Sequence, residues 1–416
     1  MDNPVSRRRA ILGATIGNAI EFYDFLVYAS FAIQIGKAFF PAENTYISLI
    51  ASLATFGAGF VTRPLGAWTI GSYADRHGRR PALLLTLWLM GAGIAGLALT
   101  PSYATIGWAA PVIAVAARLL QGFALGGDVG PSASFLIEVA GEERQGLVGS
   151  LQRATQLIAG GLGAAAGFTL TLLLDPVQLG NWGWRVALAA GLIVVPYAAW
   201  LRRNLPETHE AAEQHVPAPR PDRKEWWLIS IGLVLFSAGT ISSYLMNYMA
   251  TFAQNSLKLP PRAAFAGQMA AYLLAAVTGI ASGWLSDKIG RRPVALAAGI
   301  GFVVVAWPAY AWLMADPTAL TFLGVCVVLG LVNGLTCVHI VMIAESIAKQ
   351  TRARNFAMIY TVPITLFGGT AQVFVTWLIH ATGTPMAIAW CLMAIWVPGL
   401  VATWLYPESA PRLKRV

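Results

Sequence analysis

Long apolar segments fill most of this chain and restrict what it can fold into. Of the 416 residues, 57% are hydrophobic and only 11% are charged, whereas a soluble domain carries about 25% charged residues. A surface with so little charge excludes an ordinary soluble enzyme, and the high apolar content excludes a disordered chain. Because about 20 apolar residues cross a bilayer as one helix, we predict an integral membrane protein with many spans.

Twelve transmembrane helices are predicted, which makes the fold class an all-α membrane protein. The apolar segments are 10–36, 46–72, 81–101, 107–138, 146–173, 184–201, 227–252, 264–286, 293–314, 318–345, 355–380 and 386–406. The first segment follows three arginines, as a signal peptide would. It contains two acidic residues and no small-residue cleavage site follows it, so we expect it to be retained as the first span.

The distribution of positive charge predicts the orientation. With an inner N-terminus, 21 of the 28 Lys and Arg residues lie on inner loops and tails and four lie outside, while Arg63, Arg118 and Arg153 fall within spans. Because inner loops are enriched in Lys and Arg, both termini are predicted to be cytoplasmic. This topology accounts for the net charge of +9 without a nucleic-acid partner.

A motif repeats at a distance of 212 residues, close to half the chain length. The segment Gly71-Ser-Tyr-Ala-Asp-Arg-His-Gly-Arg-Arg-Pro81 recurs as Gly283-Trp-Leu-Ser-Asp-Lys-Ile-Gly-Arg-Arg-Pro293, each on the inner loop after the second span of its half. A match over so many positions predicts two homologous six-helix bundles. We expect them at residues 1–202 and 227–416, joined by a cytoplasmic linker at 203–226 that is rich in proline and charge.

The repeated motif predicts a cytoplasmic gate. The glycine before each Arg-Arg pair permits a tight turn, and the aspartate of each copy can cap a helix end or pair with arginines. We expect such ion pairs to hold one conformational state and release in another; the alternative is that the positive charges only keep the loops inside. The gate residues are Asp75, Arg76, Gly78, Arg79, Glu138, Arg144, Asp287, Lys288, Gly290, Arg291, Glu345 and Arg352.

Ionisable residues inside the spans predict a functional site, because each costs at least about 2.5–3.5 kcal/mol to insert. Helical spacing places Glu21, Asp24 and Tyr28 on one face of span 1, and Arg118, Gln121 and Asp128 on one face of span 4. An isolated arginine there would be costly, so we expect spans 1 and 4 to face each other across a polar cavity. Carboxylates in that cavity can carry a proton. The alternative is a permanent ion pair that locks the two helices.

Span 5 and the second half add further polar groups. Arg153 lies roughly 10 Å from the cytoplasmic end, so it either extends to the interface or binds an anion with Gln152 and Gln156 as partners. His339 either carries a proton near neutral pH or is a satisfied core residue. The neutral candidates of the second half are Tyr244, Asn247, Tyr248, Asn333 and Gln372. No nucleotide, zinc or esterase motif is present, so we expect no cofactor, no metal and no enzymatic activity.

These residues also resemble a known family. The paired Gly-x-x-x-Asp-Arg/Lys-x-Gly-Arg-Arg motifs look like those of the major facilitator superfamily. Within it, the segments Gly17 to Phe25 and Arg118 to Gly127 resemble the metabolite:proton symporter family, which carries citrate, tricarballylate, α-ketoglutarate, shikimate and proline or betaine. The Phe40-Pro41-Ala42 and Thr105-Ile106-Gly107 segments look most similar to the citrate and tricarballylate branch.

The resemblance implies alternating access with a central site between the halves. The expected function is proton-coupled uptake of a small organic carboxylate, with a di- or tricarboxylate such as citrate favoured, by a monomer in a bacterial inner membrane. The implied substrate-binding residues are Tyr28, Arg118, Gln121, Arg153, Gln156, Tyr244, Asn247, Tyr248, Asn333 and Gln372. The implied proton-coupling residues are Glu21, Asp24, Asp128 and His339. Two alternatives stay open: a proton-coupled transporter of a zwitterion or cyclic acid, and a membrane receptor that does not transport.

Overall fold

Twelve helical spans make up the part of the chain that the computed structural model describes, which confirms the all-α prediction. That part comprises residues 15, 18–19, 22–77, 79–126, 136, 140, 143–203, 222–348 and 351–411, with the backbone alone at 74–75, 79–80, 83, 193–195, 197–203 and 353–354. The spans are α1 (22–30 and Ala32–Phe39), α2 (Thr45–Val61 and Arg63–His77), α3 (Arg79–Leu99), α4 (Ala109–Leu125), α5 (Gln145–Leu173), α6 (Trp184–Arg203), α7 (Arg223–Asn255), α8 (Pro261–Ile289), α9 (Arg291–Ala315), α10 (Ala319–Leu335 and Val338–Ser346), α11 (Arg352–Pro363, Ile364–Gly368 and Thr370–Thr382) and α12 (Ala387–Leu405).

The periphery of the helical assembly is apolar, as a lipid-facing surface must be. Eight helices among the described residues are long and apolar enough to cross a membrane, and α3 and α4 contain shorter apolar helices. Large side chains such as Trp68, Leu172, Trp307 and Trp404 are more than half exposed. In water such a surface would cause aggregation, whereas in a bilayer it contacts hydrocarbon.

The inner ends of α2 and α8 extend further than the apolar pattern predicted. The placement of the repeated motif in loops was wrong in this respect, because Asp75 and Asp287 both lie in helical turns near the ends of α2 and α8. Gly290 then separates α8 from α9 with a φ of +104°, a conformation that L-residues with a side chain rarely adopt. The predicted tight turn is therefore confirmed in the second copy, while Gly78 of the first copy lies outside the described residues.

Two spans change their helical winding near the centre of the molecule. In α11 a π-helical turn, Ile364–Gly368, directly follows Pro363, and both features are typical causes of a helix kink. In α2 the α-helical hydrogen bonding breaks at Thr62. Both irregular points lie beside the polar cluster described below, so the helices that carry it are not straight rods.

Several contacts between the two halves lie towards the outer end of the molecule. The Gln34 amide donates to Gln254 Oε1 at 3.3 Å between α1 and α7. Gly57 of α2 and Gly369 of α11 touch through their backbones, since a Cβ built on Gly369 would lie 2.3 Å from Gly57 Cα. Nearer the outer surface, the Tyr46 and His380 rings stack at 4.1 Å. These contacts join the two halves on the side that is predicted to face outward.

Candidate functional site

A chain of three buried polar side chains links α1 to α4. The Gln121 amide nitrogen donates to Asp24 Oδ2 at 2.6 Å, and Arg118 Nη1 donates to Gln121 Oε1 at 2.7 Å. This confirms that spans 1 and 4 face each other, while the polar cavity between them stays a prediction. The two charges do not pair directly, however, because a neutral amide lies between them.

Arg118 is buried but only partly satisfied. The residue is 0% exposed, yet its Nε and Nη2 have no hydrogen-bond partner, and neither does Asp24 Oδ1. The guanidinium carbon lies 3.8 Å from the centre of the Tyr28 ring and 5.4 and 5.6 Å from those of Phe25 and Phe56. Aromatic faces attract a cation, but they do not replace charge-assisted hydrogen bonds. The site therefore offers free donors to an anion.

Arg63 of α2 is a second buried cation, for which the sequence predicted no role. Its guanidinium carbon lies 4.8 Å from the centre of the Phe25 ring and 4.4 Å from that of Phe60. A signal for it was present, since Phe56, Phe60 and Arg63 are spaced by four and three residues and so share a helical face. That face meets α1 and α7.

A second polar cluster lies on α5. Arg153 Nη1 donates to Gln156 Oε1 at 2.7 Å, and the Gln156 amide nitrogen is 3.3 Å from the Tyr360 hydroxyl of α11. Asn18 of the first span accepts from Gln152 at 3.2 Å and from Gln156 at 3.3 Å. Arg153 is half-buried, and this network holds its base between the two halves rather than at the lipid interface.

The second half contributes neutral groups with free polar atoms. The Gln372 amide nitrogen donates to the Tyr244 carbonyl at 3.1 Å, and the Gln268 amide nitrogen donates to the Asn247 carbonyl at 2.6 Å. Oε1 of both glutamines and Nδ2 of Asn247 have no partner. Tyr244 packs edge-on against Phe60 at 5.4 Å between ring centres, which brings α7 to the cations of the first half. Gln268 was not among the predicted residues.

Asn333 and His339 lie away from this cluster, inside the second bundle. Both amide atoms of Asn333 are unpartnered, and the side chain lines a cavity of about 20 Å³ between α7, α8, α9, α10 and α12, enough for roughly one water molecule. The His339 ring lies 5.9 Å from that of Trp396. Tyr248 is fully buried and packs against Phe252. The helical period places polar residues on faces, but it does not say which neighbour each face meets.

A charged cluster also forms at the inner ends of α8, α9 and α10. Arg291 donates through Nη1 to Asp287 at 2.7 Å and through Nε and Nη2 to Glu345 at 3.1 and 2.9 Å. The Asp287 carboxylate also accepts the backbone N–H groups of Gly146 and Leu147 at 2.8 and 2.9 Å. An acid of the second half therefore caps the first turn of α5 in the first half, where the partial positive charge of the helix favours an anion.

The other predicted gate residues do not join this cluster in the described part of the chain. Lys288 lies 3.6 Å over the Trp284 ring, and Arg352 donates to the Ile347 carbonyl at 3.3 Å. Arg76 and Arg144 are exposed. The residues Glu21, Gly78, Asp128 and Glu138, and the side chains of Asp75 and Arg79, lie outside the described residues. No group of three potential metal ligands occurs among those described.

Sequence comparison identifies the family. Residues 14–363 match the sequence profile of the Major Facilitator Superfamily. The chain belongs to this superfamily. The citrate-proton symporter of Klebsiella pneumoniae is 35% identical, with 98% of this chain and 94% of that protein covered.

Other members of the superfamily are also similar to this chain. The alpha-ketoglutarate permease of Escherichia coli strain K12 is 33% identical and the proline/betaine transporter of the same strain is 29% identical, each over 97% of this chain and over 95% and 84% of the relative. Among solved structures, a partially occluded inward-open form of the xylose transporter XylE from E. coli aligns with a TM-score of 0.78, at 16% identity, over 97% of this chain and 98% of that one. This structural likeness supports the twelve-helix superfamily fold, and with it a multi-pass integral membrane protein.

Proposed function

We propose that this protein imports a small organic carboxylate together with protons by alternating access, with a di- or tricarboxylate such as citrate as the favoured substrate. The observation that carries the proposal is Arg118, a fully buried guanidinium with two unpartnered nitrogens beside the Asp24 carboxyl group. Relatives named as citrate-proton symporters and as an alpha-ketoglutarate permease support the same substrate class.

Coupling follows from the arrangement of charges around Arg118. A substrate carboxylate binds its free Nε and Nη2 donors, and Tyr28 supplies a ring face beneath the same group. An ionised Asp24 competes with that carboxylate for the positive field of Arg118, and protonation of Asp24 removes the competition. Proton and substrate therefore favour each other's binding, and this reciprocity is what a symporter requires.

Residues on both sides of the interface complete the proposed site. Gln121 hydrogen-bonds to both Asp24 and Arg118 and fixes their relative positions. Arg153 with Gln156 forms a second cationic position on the inner side. Tyr244, Asn247 and Gln372 supply hydrogen bonds from the second half. We further propose that bundles at residues 1–202 and 227–416 move against each other as a monomer in a bacterial inner membrane, without a metal or organic cofactor.

A zwitterion such as betaine is the second candidate, because a proline/betaine transporter is also similar to this chain. A quaternary ammonium group would need open aromatic faces. Three rings of the cluster, Tyr28, Phe25 and Phe60, already hold the guanidinium groups of Arg118 and Arg63. This arrangement favours an anionic substrate.

The decisive experiment is uptake by purified protein in proteoliposomes with an acidic exterior. The probes are labelled citrate, tricarballylate, α-ketoglutarate, shikimate and betaine, each measured with and without a protonophore. We expect citrate, tricarballylate or α-ketoglutarate to accumulate and the accumulation to collapse with the protonophore. Accumulation of betaine or shikimate alone would replace the di- or tricarboxylate proposal by the zwitterion or cyclic-acid one.

Two further results would contradict the proposal in different ways. Equilibration of a carboxylate that does not depend on the pH gradient would remove the proton role of Asp24 and leave a facilitator. Binding of a carboxylate without any flux would favour a receptor.

A further inference from the structure

Arg63 is a buried charge without a matching anion among the described residues. It is 3% exposed, and its Nε and Nη2 have no hydrogen-bond partner. Removing a cation from water costs several kcal/mol, and a buried charge is stable only when paired and hydrogen-bonded. In the described part of the chain no carboxylate forms an ion pair with it, and the Phe25 and Phe60 rings offset only part of this cost.

Arg63 and Arg118 belong to one cluster. Their Cζ atoms lie 4.8 and 5.4 Å from the centre of the same Phe25 ring, so the two groups are at most about 10 Å apart. Their positive charges are close enough to repel each other. Each charge-assisted N–H···O contact spans about 2.8 Å. Two such contacts, together with the length of a small molecule that carries two negative groups, can therefore bridge the two guanidinium groups.

The local charge balance also calls for an anion. Among the described residues, two buried guanidinium groups face a single carboxyl group, Asp24. The excess is one positive charge when Asp24 is ionised and two when it carries a proton. A ligand with a single carboxylate would leave one guanidinium uncompensated in the protonated state.

Arg63 also contacts the second half of the protein. It lies beside the Tyr244 hydroxyl of α7, and Tyr244 packs against the same Phe60 ring that lies beneath the guanidinium. A ligand bound to Arg63 therefore sits where the two halves meet. A ligand bound there contacts both halves, as alternating access requires.

We propose that Arg63 binds a second carboxylate of the substrate and makes the site selective for polycarboxylates over monocarboxylates and zwitterions. This inference rests on the proposed function. Arg118 and Arg63 each hold one carboxylate of the same molecule, with free nitrogens on both. The number of negative groups on the ligand, more than its shape, then decides affinity.

The experiment compares ligands that differ in carboxylate number against variants that differ at one arginine. Tricarballylate, glutarate, butyrate and betaine compete for binding of labelled citrate to purified wild type, Arg63→Gln, Arg63→Lys and the control Arg262→Gln. Arg262 is an exposed arginine at the outer end of α8. Its replacement removes one positive charge without touching the cluster.

In Arg63→Gln we expect the affinity for tricarballylate and glutarate to fall about 10- to 100-fold, the effect of a lost charge-assisted contact. Butyrate affinity should change less than about twofold, and Arg262→Gln should match wild type. If Arg63→Gln does not fold, Arg63→Lys decides. Lysine keeps the positive charge but lacks the planar guanidinium that binds a carboxylate through two N–H groups. The affinity for the polycarboxylates should therefore still fall more than the affinity for butyrate.

The outcomes separate this inference from the proposed function. If the Arg63 variants lose the same affinity for all ligands, or lose none for the polycarboxylates, the role of Arg63 is overturned. The proposal of carboxylate transport is not affected by that result. Binding of labelled betaine is therefore also measured directly; a wild type that binds betaine and no carboxylate would overturn both proposals.

Discussion

Two buried arginines in this protein have opposite surroundings. Arg291, the first residue of α9, uses all three of its nitrogens, donating to Asp287, Glu345 and Ser286. Arg118, near the middle of the molecule, makes one hydrogen bond to a neutral amide and leaves Nε and Nη2 free. Both are fully buried, so burial alone does not distinguish them.

The carboxylates beside these arginines differ in the same way. Both oxygens of Asp287 are occupied, by Arg291 and by the first N–H groups of α5. Asp24 has one occupied oxygen and one without a partner. A saturated cluster stabilises one arrangement of helices, whereas an unsaturated one gains energy only when a ligand or a proton arrives. The first is suited to hold a conformation, the second to bind.

The largest expected effect is the loss of transport on replacing Arg118. Arg118→Gln keeps hydrogen-bonding atoms but removes the charge and two donors, so uptake in proteoliposomes should fall at least about 100-fold. Its melting temperature in detergent should stay close to that of wild type, because no ion pair is broken. Near-normal uptake by this variant would assign substrate binding elsewhere.

Replacing Arg291 should produce the opposite pattern. Arg291→Gln leaves two buried carboxylates without their cation, and breaking such a pair costs about 3–5 kcal/mol. We expect a clear drop in melting temperature, with labelled citrate still bound by the protein that remains folded. If instead Arg291→Gln is stable and Arg118→Gln is not, the assignment of roles to the two clusters is reversed.

The two aspartates provide a finer test of the same comparison. Asp24→Asn is nearly isosteric and accepts from Gln121, but it cannot carry a proton in exchange for a charge. Uptake driven by a pH gradient should be abolished, while exchange of internal for external substrate continues. In Asp287→Asn both processes should slow together, since the inner contact with α5 is weakened. Gradient-driven accumulation by Asp24→Asn would show that another group carries the proton.

Much of this arrangement was predictable from local patterns in the sequence. The apolar segments and the repeat of Gly71 to Pro81 predicted twelve helices, and helical spacing predicted that Asp24 and Arg118 face each other. Such patterns work because they depend only on the helical period and on the cost of charge in lipid. The turn at Gly290 was likewise predictable from its residue type.

The rest depended on which helix meets which, and no local pattern gives that. Gln121 separates Asp24 from Arg118 because its amide fits between α1 and α4. Arg63 received no role, because its shared helical face with Phe56 and Phe60 does not show that α7 lies opposite. Asn333 and His339 lie on polar positions of α10 but face the interior of their own bundle. Each of these outcomes is a matter of tertiary packing.

Alanine substitution of a glycine in the repeated motif should have a smaller effect on stability, and the equivalent glycine of the other copy provides a matched control. Gly283 of α8 packs against α5, where an added Cβ would lie 2.2 Å from Ser150 Oγ and 2.5 Å from the Gly146 carbonyl oxygen. Its counterpart Gly71 has no described atom within 4 Å of such a Cβ. Gly283→Ala should therefore force α8 away from α5 and cost about 1–3 kcal/mol, and Gly71→Ala should be neutral or slightly stabilising.

Thermal unfolding of the two variants in detergent measures this difference. Equal behaviour of the two alanine variants would mean that the inner contact of α5 with α8 is loose enough to absorb a methyl group. The saturated cluster around Arg291 would then not be held by close helix packing. A destabilised Gly283→Ala with a normal Gly71→Ala would show that the two copies of the motif do different work in this conformation.

The smallest expected effect concerns an outer pocket that we expect the substrate to meet before either arginine. This pocket, of about 150 Å³, lies between α1, α2 and α7 and is lined by Lys37, Ser48 and Asn255 among others. Lys37 is exposed, so its attraction for an anion is weak and screened by salt. Lys37→Gln should raise the apparent KM about two- to threefold at low ionic strength and leave it unchanged at high ionic strength. The control is Lys258→Gln, which removes another exposed outer charge away from the pocket. A KM that rises equally in both variants would indicate a general electrostatic effect of the surface in place of a specific entry point. The contrast in anion affinity would then be confined to the buried cluster around Arg118.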